Sequence, residues 1–572
     1  MFLKCNEVHK KGKKYKYYNV VESIRVDGKI KHNILVPLGA ISDEKAGQVR
    51  AVLKVTDKSI VSSEAKTYAL ADIIVKKNTD FLNIYVLHKL WNDWQLGDLF
   101  SSFRHVEKLV VNRCVDPMSK YRVTQWEGGY LVDKLSGQET GGDPYSVYDE
   151  LERIADFEQD IHSHICNLLQ AKGLLKDPAI IYDITSTYFE RTRCTLAFKG
   201  YSRDHRPDKL QIVIAMAVTS EGYPFYWKVY KGNTQDVSTT KDFVDSITKL
   251  FGVKNFVLVF DRGMVSDDNI KYIEENHYRF ISAIDKNEIS TSTPVETGQF
   301  QGVEKSEELN GFEEYDDDLW YRVYKQNGHR YVIGFSPKKQ QEERGARKRK
   351  LNKFDQEVKK LNDDLKKARR NRKQDATIAA LSALIKRFKL SKLVNTQIEP
   401  LQIPKNKRNI ESFQIQYTIN ETAIESAILL DGLTCFHTNT AEEDYTASDV
   451  IRQYRQKNTV EEGFHEIKGL IELRPIYLSQ DKRVKAHVTV CALAYFLWND
   501  FEKTASKITG LSVADMLSEL AKCKSNTITA KEEQQSVQIL TEFTQTQIDI
   551  LESLDIKTVS VENTFKKVIA GD

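Results

Sequence analysis

At 572 residues the chain exceeds what one ordinary core holds, so three or more structural units are expected. Hydrophobic residues at 41% and charged residues at 29% exclude a disordered chain. The net charge of +3 is too small to name a partner, so local clusters of charge must be read instead.

The chain begins MFLKCNEVHKKGKK, without the apolar stretch of a signal peptide. Residues 16–21 and 24–26 read as strands leading to Asp27-Gly28, a hairpin-turn pair, with 30–36 as the returning strand. From Asp80 the period changes. Ile84, Leu87, Trp91 and Trp94 recur at helical spacing, and a second helical stretch spans about 145–169. Core packing accounts for the tryptophans. Residues 1–75 thus form a β-rich unit and 76–176 a helical one. Small basic units of this kind suit the reading of DNA ends, but no particular recognition helix stands out.

Past Asp177 strands and helices alternate. Residues 179–184 form a short buried strand, and 210–218 and 223–230 form two more, joined at Ser220-Glu221-Gly222. A helix at 239–250, an apolar strand at 256–260 (FVLVF), a helix at 267–276 and a strand at 278–284 follow. Three strands, helix, strand, helix, strand is the order of a ribonuclease-H-like sheet. The fold class is therefore α/β, with 177–286 as the first part of a ribonuclease-H-like catalytic domain that still lacks its last helix. A mixed insertion at 287–439 interrupts it, with strands at 319–324, 331–335, 413–417 and 433–438. Its middle, 338–373, is dense in Lys and Arg (RGARKRK, KKARRNRK). There Leu351, Phe354, Val358, Leu361, Leu365 and Ala368 alternate at spacings of three and four, a heptad seam. This basic helix is either a solvated arm packed through its seam or an arm lying along DNA phosphates, and the two are compatible.

Residues 440–500 supply the second part of the catalytic domain. Thr446-Ala447-Ser448-Asp449 has the form of a capping box and opens a helix running to about Gly469. The longest apolar run, VTVCALAYFLW at 488–498, falls short of the roughly 20 residues that cross a bilayer, so no membrane partner is expected. The tail, 501–572, is polar and helix-like and carries no assignable chemistry.

Asp183 ends the first strand of this region and Asp261 follows FVLVF. An aspartate after an apolar strand is costly unless solvated, paired or bound to a cation. Either one alone serves equally well as a loop cap. In a ribonuclease-H-like sheet, however, the first and fourth strands are neighbours, so both carboxylates emerge together and repel. A divalent cation is the simple remedy. On the last helix Tyr454, Glu461 and Lys468 are seven residues apart, two turns, with Lys457 one turn before Glu461. Such a face suits a phosphate backbone beside a metal ion, and ordinary Glu–Lys pairing on a solvated helix is the plain alternative. Glu462 and Glu466 point roughly 100° or more away. Asp183, Asp261 and Glu461 are thus the candidate catalytic and metal-ligating residues, and Tyr454, Lys457 and Lys468 the candidates for DNA phosphates. Two Mg²⁺ ions about 3.5–4 Å apart, with Mn²⁺ as a substitute, would activate an oxygen nucleophile and stabilise the leaving oxygen. Asp183 would bridge them, with Asp261 and Glu461 each holding one side. Seven cysteines without a CxxC pair and twelve histidines without HExxH spacing offer no zinc alternative and fit a reducing cytoplasm.

These residues resemble the bacterial insertion-sequence transposases of the DDE class, in the branch marked by a Y-x2-R-x3-E-x6-K signature. Tyr454, Glu461 and Lys468 match it in type and spacing, while Lys457 stands where the family has arginine, keeping the charge but losing the bidentate fork. GYSRDHRPDKLQ (200–211), KGNTQD (231–236), VFDRGMVS around Asp261 and LRPIYLSQDKRVKAHV (473–488) are similar to the same branch. The resemblance covers about 177–285 and 431–498, and a strand-rich insertion before the last helix is itself a family trait. It implies cut-and-paste movement of a mobile element: binding of terminal inverted repeats in double-stranded DNA, nicking at the ends, and strand transfer to a target. The setting it implies is the bacterial cytoplasm, at the nucleoid when on DNA. Analogy with the wider group adds a hairpin intermediate and a homodimer across two paired ends. A catalytically silent, transposase-derived DNA-binding protein is the alternative, against which all three acidic residues argue. A two-carboxylate glycoside hydrolase would leave the Tyr–Lys–Glu–Lys stripe unexplained.

Overall fold

The computed structural model describes residues 2–10, 13–26, 29–55, 73–138, 143–175, 179–251, 256–264, 266–289, 293–303, 308–404, 409–530, 536–561 and 564–567. Contacts divide the chain into two compact units, 1–76 with 528–537 and 77–527 with 538–572.

In the first unit β1 (Phe2–Lys10), β2 (Lys13–Val26) and β3 (Lys29–Gly39) make an antiparallel meander. Strand β2 runs unbroken where the sequence suggested two pieces, and the expected turn at Asp27-Gly28 lies outside the described residues. Helix α1 (Asp43–Val55) is tied to the meander through Asp43, which accepts from Lys16 Nζ at 2.8 Å and from the Tyr18 hydroxyl at 2.6 Å.

The second unit opens with helices, among them α2 (Leu82–Asp93), α3 (Val106–Val115), α4 (Glu127–Ser136), α5 (Ser146–Asp156) and α6 (Glu158–Ala171). Ile84, Leu87, Trp91 and Trp94 are all buried, as their helical spacing requires. The stretch at 145–169 is two helices, broken at Phe157. Their apolar faces share one continuous core with the sheet that follows.

That sheet is mixed. Strands β4 (Ala179–Tyr188), β5 (Gln211–Thr219) and β6 (Pro224–Lys231) form an antiparallel meander. Helix α7 (Asp236–Phe251) leads to β7 (Val257–Phe260), which pairs parallel with β4, and α8 (Asp267–Glu275) leads to β8 (Arg279–Ala283), parallel to β7. These five strands come in the order the sequence indicated. Strand β5, QIVIAMAVT, is buried throughout because both faces are covered, so no alternation marks it in the sequence.

The insertion enlarges the same sheet. Strands β9 (Glu313–Asp316), β10 (Leu319–Gln326) and β11 (His329–Phe335) are followed by α9 (Pro337–Lys366), α10 (Gln374–Phe388) and a hairpin of β12 (Val394–Ile403) and β13 (Ile410–Ile419). Strand β14 (Leu433–Thr438) returns beside β8, giving nine strands in the order β9-β10-β11-β14-β8-β7-β4-β5-β6. Phe354, Val358 and Leu365 of the heptad seam are buried against Leu381 of α10 and Ile415 of β13, so the seam packs within the insertion. The long helix ends at Lys366, short of the expected 373, and α10 is a separate helix beyond it.

After the insertion come α11 (Ala447–Arg455), α12 (Lys457–Lys468) and α13 (Asp481–Phe501). The expected capping box is present: Thr446 Oγ1 accepts from the Asp449 amide at 3.2 Å, and the Thr446 amide donates to Asp449 at 3.0 Å. The single helix read from the sequence is two. Thr459 N–H bonds Gln456 C=O at 2.9 Å, an i→i+3 turn that closes one helix and starts the next. The apolar run 488–498 is the middle of α13, buried on every side. Among the described residues no helix is long and apolar enough to cross a membrane. Beyond Phe501 the chain is not purely helical: strands at Lys524–Ala530, Val537–Leu540, Thr558–Val561 and Thr564–Lys567 accompany short helices.

Candidate active site

Sheet register brings the first two acidic residues together. Strand β4 runs on to Tyr188, so Asp183 lies inside it and not at its end as the sequence suggested. Strand β7 is the one that stops: Tyr182 pairs with Phe260, and Asp261 leaves the sheet beside Asp183. The face is fixed by the same register. Tyr182, Ala217 and Tyr226 are cross-strand partners, and Tyr182 stacks on Phe243 of α7 with centroids 3.8 Å apart. Asp183, Met216 and Trp227 form the adjacent row and so face the opposite side. There Trp227 Nε1 donates to Thr489 Oγ1 of α13 at 3.0 Å, and α12 packs on β4.

Helix α12 presents Glu461 to that side. Asp183, Asp261 and Glu461 line one cleft of about 410 Å³; Glu462 and Glu466 do not. Lys457 sits among the carboxylates, its Nζ 2.6 Å from Glu461 Oε1 and 3.7 Å from Asp261 Oδ2, and its side chain is 11% exposed. The Tyr454 hydroxyl donates to Asp261 Oδ1 at 3.2 Å. Burial raises the Asp183 carboxyl to about 6, with Asp261 and Glu461 adding to the rise and Lys457 and the Ile184 amide opposing it. Burial alone would lower the Lys457 amine, but its bond to Glu461 and the three negative charges hold it above its ordinary value. The Glu466 carboxyl, on the other side of the helix, is pushed up to about 7 by burial and by Glu502 and Glu462.

Close approach of α12 depends on Gly463. A Cβ there would lie 2.6 Å from the ring and hydroxyl of Tyr495 on α13. With any larger residue either the Tyr495 ring or α12, which carries Glu461, would have to shift.

Lys468 is placed differently from expectation. Its Nζ meets Asp204 Oδ1 at 2.8 Å, and the same oxygen accepts from Arg474 Nη1 at 2.5 Å. The Asp204 side chain is only 2% exposed, and among the described residues its Oδ2 has no hydrogen-bond partner. Burial lowers the Lys468 amine, and Asp204 partly offsets this. Arg203, Asp204, Asp236, His465 and Arg474 also line the cleft, and no spacing argument found them. The first three lie in GYSRDHRPDKLQ and KGNTQD, the segments noted for their resemblance. The structure gives those segments a physical role. A Cβ on Gly232 would lie 1.9 Å from Gln211 O, and one on Gly200 2.0 Å from Gly232 O, so only glycine lets the two loops cross. Gln211 Nε2 laces them, donating to Tyr201 O at 2.9 Å and Gly232 O at 3.0 Å. Arg203 is thereby held on Ser186 Oγ through its amide and on Asp236 through its guanidinium, at 2.9 and 2.5 Å.

A family model described as the transposase DDE domain matches residues 175–497, more than half of the chain and the whole of this cleft. The chain belongs to the DDE transposases. A second model, the N-terminal domain of IS1634 family transposases, matches residues 3–62 and places this transposase among those of insertion sequences. No curated protein matches it. A cryo-EM structure of the piggyBac transposase synaptic complex with hairpin DNA aligns over 82% of this transposase and 74% of that chain, at 11% identity and a TM-score of 0.31. A crystal structure of a pre-cleavage Mos1 transpososome aligns over 43% and 68%, at 8% identity and a TM-score of 0.14. Likenesses this remote bear on neither the site nor the partners of the transposase.

DDE transposase domains generally use divalent metal ions. Among the described residues no three His, Cys, Asp or Glu side chains converge closely enough to ligate one ion. The donor set nevertheless fits a hard cation. It consists of carboxylates lining one cleft, one of them reluctant to ionise beside the others, with the Lys457 ammonium as their local counter-charge.

Proposed function

We propose that this cleft cuts and joins DNA on a ribonuclease-H-like core, with Asp183, Asp261 and Glu461 as the catalytic and metal-holding residues. The observation that carries the reading is the register of β4 and β7, which sets Asp183 beside Asp261 on the face that α12 covers with Glu461. Two Mg²⁺ ions held there, or Mn²⁺ in their place, would activate an oxygen nucleophile and stabilise charge on the leaving oxygen. The side chains of the cleft do the positioning. Tyr454 fixes the Asp261 carboxylate through its hydroxyl, and Lys457 offsets the repulsion among the acids. Lys468 spends one of three N–H donors on Asp204 and Arg474 one of five, leaving the others for a phosphate in the cleft. Tyr454 and Lys457 border the same phosphate path.

On this reading the substrate is double-stranded DNA carrying the terminal inverted repeats of an insertion sequence. The reaction is cleavage at the ends followed by strand transfer into target DNA, by a homodimer that pairs two ends. The test is cleavage of a plasmid bearing the repeats that flank the coding region, with Mg²⁺ and with EDTA. Asp183→Ala, Asp261→Ala and Glu461→Ala should each abolish Mg²⁺-dependent cutting while repeat binding survives in a gel shift. Normal cutting by the Glu461 variant would move the third acidic role elsewhere. Repeat binding by the wild type with no cutting under any divalent ion would favour a catalytically silent DNA-binding protein.

A further inference from the structure

A second cavity, of about 290 Å³, shares a wall with the cleft, since Arg474 lines both. Its other walls come from the turn after α3 and from the segments on either side of the start of α13. Arg113, Lys120 and His487 line it, with Tyr148 and Tyr477 beside them. Lys120 is 5% exposed and Arg113 6%, yet among the described residues Lys120 Nζ and Arg113 Nε have no hydrogen-bond partner. Buried polar groups are almost always paired, and an orphaned amine beside an orphaned guanidinium nitrogen at one cavity calls for a ligand that supplies acceptors.

Among the described residues no carboxylate offsets the Lys120 amine. Burial lowers the Lys120 amine well below the usual lysine range, Arg113 lowers it further, and only the Cys491 thiol acts the other way; no carboxylate acts on it. His487 donates from Nε2 to Leu473 C=O at 3.1 Å, and its neighbouring charges are again Lys120 and Arg113. Glu472, the one acid on the lining, is exposed. Arg113 cannot escape by losing its proton, because guanidinium stays charged at any ordinary pH. It is also anchored, its terminal nitrogens bonding the carbonyls of Met118, Ile471 and Glu472. The cavity is therefore a fixed positive site with aromatic walls, next to a cleft proposed to hold a DNA strand.

We propose that this cavity binds a phosphate group of the DNA strand where it passes Arg474 on leaving the cleft. A phosphate offers the acceptors that Lys120 and Arg113 lack, and Arg474 has donors for both rooms. The strand as the source of the phosphate rests on the reading of the cleft as a DNA-cutting site; the cavity's affinity for phosphate does not.

Two measurements on the full-length protein test it. The first replaces single phosphates of a repeat-bearing duplex, one at a time, with uncharged methylphosphonates. For the wild type, one linkage away from the scissile bond should cost about ten-fold in affinity, and Lys120→Met should be about ten-fold weaker on native DNA yet indifferent to that linkage. The second titrates inorganic pyrophosphate at constant chloride and follows Tm. The wild type should be stabilised and Lys120→Met should not. Methionine keeps the length and removes an unpaired buried amine, so this variant should melt no lower than the wild type. Should it fail to fold, Lys120→Gln takes its place in both arms, because the wild type alone would not tell this cavity from the cleft. Pyrophosphate binding without any sensitive linkage would assign the cavity to a free phosphate compound and overturn the DNA source. No response in either wild-type arm would overturn the site itself. A cleft that fails to cut DNA leaves the pyrophosphate arm intact, so the two readings fail separately.

Discussion

Asp183→Asn should make the metal-free protein more stable while abolishing its chemistry. An aspartate in an unfolded chain titrates near ~3.9. In the fold Asp183 titrates at about 6, through burial and the charges of Asp261 and Glu461. Between those two values the folded state holds a proton that the unfolded state has lost, so stability falls as pH rises through that window. Above pH ~6 the whole penalty is present, about 3 kcal/mol at most. Asparagine keeps the shape and cannot ionise. In EDTA at pH 7.5 the variant should therefore melt higher than the wild type by roughly 2–5 °C, a gain that should shrink to roughly a third by pH ~4.5 and vanish below pH ~3.9. Mg²⁺ should reverse the order, because a cation that binds only the folded wild type stabilises it by mass action. The assay is a pair of melting curves, with EDTA and with millimolar Mg²⁺, at three pH values, alongside plasmid cleavage. A variant that melts lower in EDTA, or that gains as much from Mg²⁺ as the wild type, would refute the account of Asp183 as a strained carboxylate awaiting a cation.

Other perturbations address the neighbours. Glu461→Gln should reduce Mg²⁺-dependent cutting below detection, whereas Glu462→Gln, outside the cleft, should cut within about two-fold of the wild type in the same gel assay. Asp204→Asn strips the carboxylate from Lys468 and Arg474 and should cost about 3–5 kcal/mol in urea unfolding, the usual effect of breaking a buried pair. Gly463→Ala should cost about 1–3 kcal/mol by overpacking against Tyr495 and should slow cleavage; Tyr495→Leu in the same chain should restore much of both. Lys457→Met leaves three acids without their ammonium, so its metal-free Tm should drop and its gain from Mg²⁺ should exceed that of the wild type.

Sequence alone determined what depends on neighbours along the chain. FVLVF reads as a buried strand, the Thr446–Asp449 box as the start of a helix, and the heptad seam around Phe354 and Val358 as a face needing a packed partner, and each is so in the fold. With the strand–helix order and the flanking motifs these made Asp183, Asp261 and Glu461 candidates, and helical facing set Glu461 apart from Glu462. The limits of local reading are equally specific. Strand β4 continues past Asp183 because β5 pairs with it to Tyr188; residues 184–188 (ITSTY) are rich in strand formers, but only that long-range pairing fixes where the strand ends. The turn at Gln456 carries neither proline nor glycine, so nothing in the sequence split α11 from α12. Tertiary structure alone decided that the insertion lengthens the central sheet, that Lys457 lies among the acids, and that Lys468 is bound to Asp204 across 264 positions of chain. Periodicity records which face of an element is buried; which charge it meets there is set only when distant segments close on one another.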